Sequence, residues 1–300
     1  MTHPSNQTTP QNGSKNLWIV AMPAMFVFLW STGFIGAKYG MPYAEPFTFL
    51  SVRFGIVIGL MLLLCLVTKA PWPKDLKAVA HIAIAGMLVN GLYLGGVFSS
   101  VKIGLPVGIA ALVTGLQPIL TAMLARPLLG EIVTKRQWTG IIIGFIGVAL
   151  VVSNKVVGPG GNLLGLGFAA IGLCGITAGT LYQKKFCSNM NLRSGSVIQF
   201  SSSLILVLPL AFLFERMEIQ WTGEFIFAVF WLVIILSVGA ITILSVLIRR
   251  GAASKVASLF YLVPPTTALM SFFIFDEALG PIELLGMAAV VGGVAMVTRE

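Results

Sequence analysis

Apolar residues occur in ten blocks along the chain, separated by short polar segments that hold most of the charged residues. Each block approaches the roughly 20 residues that a helix needs to cross a bilayer. The pattern predicts ten transmembrane helices, at residues 17–37, 46–67, 78–101, 106–125, 136–153, 162–183, 193–214, 223–248, 253–275 and 280–298. The alternating ten-residue segments of a membrane β-barrel are not visible. The expected fold class is an all-α integral membrane protein.

Composition supports a membrane environment. The chain is 57% hydrophobic and 10% charged, with a mean hydropathy of +0.96, whereas soluble domains carry about 25% charged residues. The net charge of +9 is spread over short loops, with no basic face long enough to follow a nucleic acid backbone. The three cysteines have no metal-like spacing. We therefore expect no metal, cofactor or nucleic acid, and we interpret residues 1–16 as a disordered tail.

The distribution of basic residues predicts the orientation. Of the 19 Lys and Arg residues, we place 14 on the side of the N-terminus. Four lie on the other side: Lys38, Lys102, Lys155 and Arg216. Because cytoplasmic loops carry the excess of Lys and Arg, both termini are expected in the cytoplasm of a cell-membrane protein.

The two halves of the sequence match, without a gap, when one is shifted against the other by 146 residues. The aligned pairs include Gly33 with Gly179, Lys38 with Lys184, Phe54 with Phe200, Pro118 with Pro264, Glu131 with Glu277, Gly140 with Gly286 and Gly147 with Gly293. Apolar composition would align Leu, Val and Ala by chance, but it would not readily align a Lys, a Glu and a mid-span Pro in one register. We infer a duplication, with repeats at residues 17–153 and 162–298.

Each repeat holds five predicted spans, so the second copy must enter the membrane from the opposite side. Inverted repeats of this kind are typical of secondary transporters, in which two pseudo-symmetric conformations open one central site to alternate faces. They also occur in channels. The pattern therefore favours transport more strongly than it specifies its kinetics.

Several motifs resemble those of the EamA family in the drug/metabolite transporter superfamily. They are FLWSTGF at residues 28–34, SVRF at residues 51–54, and the series Pro118, Glu131, Gly140 with its second copy Pro264, Glu277, Gly286. The resemblance covers nearly the whole chain after the tail and implies export or exchange of small metabolites, including amino acids. The second copy departs from the pattern at Gln199, where the first has Arg53, and at Gly175 and Ile176, where an aromatic residue is common.

Polar residues inside spans are costly, and they therefore indicate a candidate site. Thr114 and Gln117 share one helical face beside Pro118, and Asn90 and Tyr93 share another in the third span. The Pro264-Pro265 pair removes two backbone donors near mid-membrane, where kinked helices expose carbonyls. The predicted substrate-binding residues are Trp30, Asn90, Tyr93, Thr114, Gln117, Tyr182, Ser258 and Tyr261. For each of them, packing or hydrogen bonding between helices is the alternative.

Charged residues suggest two further roles. Arg53 either binds a substrate carboxylate, extends towards the membrane surface, or pairs with Glu45 or another acid at that end. Lys38 and Glu277 are expected at the outer face, and Lys184 and Glu131 at the inner face. Our hypothesis is that each cross-repeat pair closes one side in turn. The alternative is that all four residues are interfacial anchors.

The competing functions have weaker support. His81 lies too far along its span from Ser99 and Ser100 to form a nucleophile–base pair, and the sequence shows neither a P-loop nor a K⁺-channel filter. A channel, a membrane scaffold and an intramembrane enzyme remain as alternatives to a transporter. The candidate cavity favours a neutral or zwitterionic substrate such as an amino acid, although a nucleoside or an amphiphilic drug would also fit. Glycines at 140, 144, 286 and 293 permit close helix packing, within the chain or in a homodimer.

Overall fold

The computed structural model describes residues 13–105, 110, 113–156, 163–275 and 280–298, without the side chains of 13–20, 34–35, 37–39, 152–156, 268, 271 and 274–275. The helical elements are α1 (Gly13–Gly40), α2 (Pro46–Val67), α3 (Leu76–Lys102), α4 (Gln117–Leu129), α5 (Lys135–Val156), α6 (Leu163–Phe186), α7 (Leu192–Phe214), α8 (Gly223–Arg250), α9 (Ala253–Ser258, Leu259–Leu262 and Val263–Phe275) and α10 (Pro281–Thr298). Apart from one isolated bridge between Ala44 and Ile219, no strand pairing occurs in the described parts of the chain.

Local signals set several helix starts. Pro46 opens α2, where its missing N–H is no loss. The side chains of Asp75, Asn191 and Thr222 accept backbone N–H bonds at the starts of α3, α7 and α8. These residues place the starts within two residues of those that the hydrophobic pattern predicts.

Six of the described helices are long and apolar enough to cross a membrane: α2, α3, α6, α7, α8 and α10. In α3, 72% of the most apolar window is buried inside the protein, compared with 33–50% in the other five. The third helix is therefore central, and the others present much of their apolar surface to the surroundings. The described chain is all-helical, and ten membrane crossings stay a prediction.

Repeat-equivalent helices pack against each other in antiparallel pairs. In α5 and α10, a Cβ atom added at Gly140 would lie 2.6 Å from the carbonyl oxygen of Gly293, and one at Gly147 would lie 2.7 Å from that of Gly286. Residues near the start of one helix thus contact residues near the end of the equivalent helix in the other repeat. The rings of Phe54 in α2 and its equivalent Phe200 in α7 are 5.5 Å apart. The contacts follow a pseudo-two-fold axis, and the glycines pack within a single chain.

The third helix of each repeat contains a π-helical segment, which the sequence pattern did not reveal. Met87–Leu92 lies in α3 and Leu232–Ala240 lies in α8. A shift of 146 residues carries the first segment into the second. Such segments widen the helix and frequently occur at functional sites.

The fourth helix of each repeat is interrupted just before its proline. Gly115 and Leu116 form a turn before Gln117 and Pro118, and the 3-10 turn Leu259–Leu262 precedes Pro264. The predicted span 106–125 therefore differs from the structure, in which α4 begins at Gln117 because Pro118 occupies a first-turn position. Residues 106–109 of that span lie outside the described residues.

We expect Gly293→Ala to lower the free energy of unfolding by about 1–3 kcal/mol, the usual cost of overpacking. The added Cβ would lie 2.5 Å from the Gly140 carbonyl oxygen, and rigid backbone cannot move aside cheaply. Denaturation of the purified protein in detergent micelles measures the change. Gly292→Ala is the matched control, because nothing lies within 4 Å of its added Cβ. Equal destabilisation by both substitutions would contradict the close contact.

Candidate functional site

A cavity lies between the two repeats. Its lining residues come from α1, α3, α4, α6, α9 and the turn before α4: Trp30, Tyr93, Thr114, Gly115, Gln117, Ile176, Phe260, Val263 and Pro264. The empty space between them, its open mouth included, is about 380 Å³. Only about 30 Å³ of it is open to the centre of a water-sized sphere, which is room for one or two water molecules. A larger ligand would require the surrounding helices to move apart.

The cavity sits on the pseudo-two-fold axis. Three pairs of repeat-equivalent residues face it: Trp30 with Ile176, Thr114 with Phe260, and Gln117 with Val263. In the last two pairs the first repeat supplies the polar member and the second repeat supplies the apolar member. The side chains of one wall can therefore form hydrogen bonds, and the equivalent side chains of the opposite wall cannot.

Aromatic rings give the cavity a fixed shape. Trp30 stacks on Tyr93 with ring centroids 6.2 Å apart and packs edge-on against Phe260 at 5.2 Å. Phe26 contacts both Trp30 and Phe260 at 5.2 Å. Because the buried rings hold each other in place, this end of the cavity is preformed.

The polar wall has an unused hydrogen-bond donor. Gln117 is 1% exposed, and its side-chain nitrogen has no hydrogen-bond partner among the described residues. The hydroxyl of Thr114 donates to the carbonyl of Ala110 at 3.0 Å. A buried polar group without a partner is costly, and a bound ligand is one means of satisfying it.

The structure brings four of the eight predicted binding residues, Trp30, Tyr93, Thr114 and Gln117, around one cavity, together with Pro264. Tyr182 lies elsewhere, with its hydroxyl 2.7 Å from Nδ1 of His81. The hydroxyl of Ser258 donates to the carbonyl of Lys255.

Three further predicted residues lie outside the lining. Tyr261 is fully buried, and its ring occupies the space beside Gly144. Asn90 is buried in the π-segment of α3, and neither polar atom of its side chain has a partner among the described residues. Pro265 is buried next to Pro264.

At one end of the molecule, the first repeat is tied to the second by an ion pair. Lys184 Nζ lies 2.6 Å from Glu131 Oε1, and the two side chains are 20% and 21% exposed. The other carboxylate oxygen of Glu131 accepts from the backbone N–H of Ala253 at 2.8 Å, and Lys184 also donates to the carbonyl of Gly251. Gly130 ends α4 with φ +71°, a conformation that suits glycine. The predicted partner pair, Lys38 and Glu277, lies outside the described side chains.

Arg53 is fully buried in α2, and its Nε donates to Ser237 Oγ at 2.9 Å. Glu45, a partner considered for it, instead accepts from the backbone N–H of Arg216. Glu215 caps α2, accepting from the N–H groups of Phe47 and Thr48 at 2.7 Å. The Glu215 cap carried no signal in the sequence, because Glu215 lies 167 and 168 positions from the residues that it caps. The two π-segments carried no signal either.

Metal binding and thiol chemistry have little support among the described residues. No cluster of three or more His, Cys, Asp or Glu that could hold a metal occurs there. Cys65, Cys174 and Cys187 are free thiols. Burial raises the pKa of the Cys187 thiol, beyond the end of α6, to about 11, although Arg249 opposes the shift. That thiol therefore stays protonated and weakly reactive at neutral pH.

The chain resembles transporters along almost its full length. The uncharacterized transporter YvbV of Bacillus subtilis is 27% identical over 281 residues, covering 92% of this chain and 90% of the relative. The uncharacterized inner membrane transporter YedA of Escherichia coli is 26% identical, covering 93% and 89%. A probable amino-acid metabolite efflux pump of Escherichia coli is 22% identical, covering 90% and 91%.

One solved crystal structure supports the fold independently. It matches with a TM-score of 0.77 at 20% identity, covering 92% of this chain and 95% of the other. The sequence pattern of the EamA-like transporter family matches twice, at residues 17–153 and 163–299. The duplicated match, the related transporters and the apolar helices lead to one conclusion: the chain belongs to the EamA-like transporter family and is a multi-pass membrane transporter, not an enzyme.

Proposed function

We propose that the protein is a secondary transporter that exports or exchanges small zwitterionic metabolites, most simply amino acids with apolar side chains. The carrying observation is the cavity on the pseudo-two-fold axis, with a polar wall at Thr114 and Gln117 and an apolar wall at Phe260 and Val263. An amino acid has the same division, with charged groups at one end and an apolar side chain at the other. The name of the Escherichia coli relative, a probable amino-acid metabolite efflux pump, supports this substrate class.

The proposed mechanism is alternating access between two inverted repeats. Related helices cross the axis in antiparallel pairs, so exchanging the conformations of the two repeats would move the opening from one face to the other. The Glu131–Lys184 pair closes one end, and Lys38 with Glu277 is the equivalent pair for the opposite end. In this mechanism, one pair forms as the other breaks.

The proposed setting is the cell membrane, with both termini in the cytoplasm. The excess of Lys and Arg in the loops on the N-terminal side supports this orientation, and it makes the Glu131–Lys184 end the cytoplasmic one. In the proposal the protein needs lipid and a small-molecule substrate, and it binds neither nucleic acid nor a cofactor. A homodimer is compatible with this arrangement, but the mechanism does not require one.

Counterflow in proteoliposomes tests the function. Vesicles loaded with unlabelled L-phenylalanine should accumulate labelled L-phenylalanine from outside, with saturation. Gln117→Leu should raise the KM by about 10- to 100-fold, because it removes one hydrogen bond to a charged group of the substrate. Gln220→Leu, on the exposed connection between α7 and α8, is the matched control. Absence of saturable exchange for a panel of amino acids, with folded protein, would overturn the proposal.

A further inference from the structure

Arg53 carries a buried charge that the described structure does not neutralise. The side chain is fully buried, and its two terminal nitrogens have no hydrogen-bond partner among the described residues. Where the structure describes the chain, only Nε is engaged, with the hydroxyl of Ser237 in the π-segment of α8. The guanidinium stays protonated under essentially all conditions, so the charge cannot be removed by deprotonation.

An unneutralised guanidinium is too costly to be retained only for packing. Burying a charge is strongly unfavourable unless it is paired and its donors are satisfied. The two acids at the N-terminal end of α2, Glu45 and Glu215, accept from backbone N–H groups of Arg216, Phe47 and Thr48. The planar pair of terminal nitrogens has the geometry that receives the two oxygens of a carboxylate.

Arg53 also lies near one residue of the cavity wall. It is close enough to Tyr93 for a direct electrostatic interaction, and the Tyr93 side chain forms part of the cavity wall. One aromatic side chain therefore connects the proposed substrate site with the uncompensated charge. A substrate bound against the Tyr93 ring would lie close to this charge.

The second repeat has no counterpart of this charge. Gln199 occupies the equivalent position, and its side-chain nitrogen donates to Gln183 Oε1 at 3.1 Å. Gln183 in turn donates to Ser245 at 3.1 Å. The equivalent region of the second repeat is thus a neutral, hydrogen-bonded network. The positive charge is specific to the first repeat, which also supplies the polar wall of the cavity.

From these observations we infer that Arg53 binds the carboxylate of the transported molecule, so that a carboxylate group is a requirement for high-affinity transport. The inference rests on the proposed function and specifies its substrate class. Neutral amphiphiles of the same size lack the group that would neutralise Arg53 and should be exchanged poorly.

The test compares two probes of nearly equal size, L-phenylalanine and L-phenylalaninamide, in the same counterflow assay. The wild-type protein should favour the acid. Arg53→Gln, which installs the residue of the second repeat, should raise the KM for the acid by about 10- to 100-fold, the range for a lost charge-assisted hydrogen bond. The KM for the amide should change little. Arg53→Lys should retain part of the preference, because it keeps the charge but loses the planar pair of donors.

The ratio of the two KM values does not depend on the amount of folded protein, so partial misfolding cannot imitate the result. Arg216→Gln removes an exposed cation from the connection after α7 and should leave the ratio unchanged. A wild-type protein that favours the amide, or an Arg53→Gln variant that affects both probes equally, would overturn the inference while transport itself stands. A wild-type protein that exchanges neither probe nor any amino acid would instead overturn the proposed function.

Discussion

Lys184→Glu is expected to reduce amino acid exchange by at least about 100-fold, because juxtaposed like charges cost several kcal/mol and each 1.4 kcal/mol is a factor of about ten. The substitution places a second carboxylate beside Glu131, in a contact where both side chains are only about a fifth exposed. In the proposed mechanism, repulsion there would prevent closure of this end, and a transporter that cannot close one end cannot complete its cycle. Counterflow measures the loss.

Two further variants separate the ion pair from its neighbouring bonds. Glu131→Lys with Lys184→Glu restores opposite charges and should recover part of the activity. Recovery should be incomplete, because a lysine at 131 cannot accept from Ala253 and a glutamate at 184 cannot donate to Gly251. Glu131→Gln keeps an acceptor for Ala253 and should be milder than either charge reversal.

Lys185→Glu is the matched control for position 184. It reverses a charge on the adjacent residue, whose side chain is exposed, and its ammonium lies 5.5 Å from the Phe186 ring. Exchange should change little. If Lys185→Glu is as damaging as Lys184→Glu, or if the double reversal recovers nothing, the pair is an interfacial anchor and not a gate.

Helix positions could be predicted from the sequence because they depend on local signals. The prediction for α2, residues 46–67, matches the structure, since Pro46 marks its start and an uninterrupted apolar run follows. Close packing at glycines such as Gly140 and Gly293 was also expected, although the sequence left open whether it joins helices of one chain or of two. The first feature depends on residues near each other in the sequence, and the second depends on positions that recur in both repeats.

The residues that line the cavity could be predicted only in part, because the lining depends on how each helix is rotated about its own axis. Asn90 and Tyr93 would share a face of an α-helix, as predicted. Asn90 lies inside the π-segment that ends at Leu92, where the wider turns reduce the rotation per residue, so a spacing of three residues no longer keeps the two side chains on one face. Tyr93 consequently lines the cavity, and Asn90 does not.

A sequence also gives the depth of a residue in a span more readily than the direction of its side chain. Tyr182 and Tyr261 were expected to line the cavity on the basis of depth and residue type. The structure directs Tyr182 towards His81 and Tyr261 towards Gly144, which has no side chain to exclude the ring. Such directions are set by contacts between helices far apart in the sequence.

The two repeats share a backbone plan but have diverged in chemistry. At the cavity, the first repeat supplies the polar side chains of Thr114 and Gln117. It also carries Arg53, whose equivalent in the second repeat is the uncharged Gln199. The second repeat supplies Phe260 and Val263. Symmetry in the backbone permits two related conformations, and asymmetry in the side chains gives the cavity two unlike walls. In the proposed mechanism, a substrate held between them would keep one preferred orientation in both conformations.

Phe54→Ala is expected to lower the free energy of unfolding by about 3 kcal/mol. This value is the low end of the range for a buried Phe, because the separated helices of a membrane protein are surrounded by lipid and not by water. Phe54 is fully buried on the axis against Phe200, and neighbouring backbone cannot collapse into the space without breaking the α2–α7 contact. Denaturation in detergent micelles measures the change. Phe212→Ala is the control, since that ring is 69% exposed.

The double variant Phe54→Ala with Phe200→Ala determines whether the two rings act together. Once the first ring is gone, the second loses its partner, so the double variant should be less destabilised than the sum of the two single variants. The expected difference is about 0.5–1.5 kcal/mol, the coupling typical of an aromatic pair. Strict additivity would contradict direct contact between the rings. A coupled result would identify the contact between Phe54 and Phe200 as an element of stability that the two repeats share.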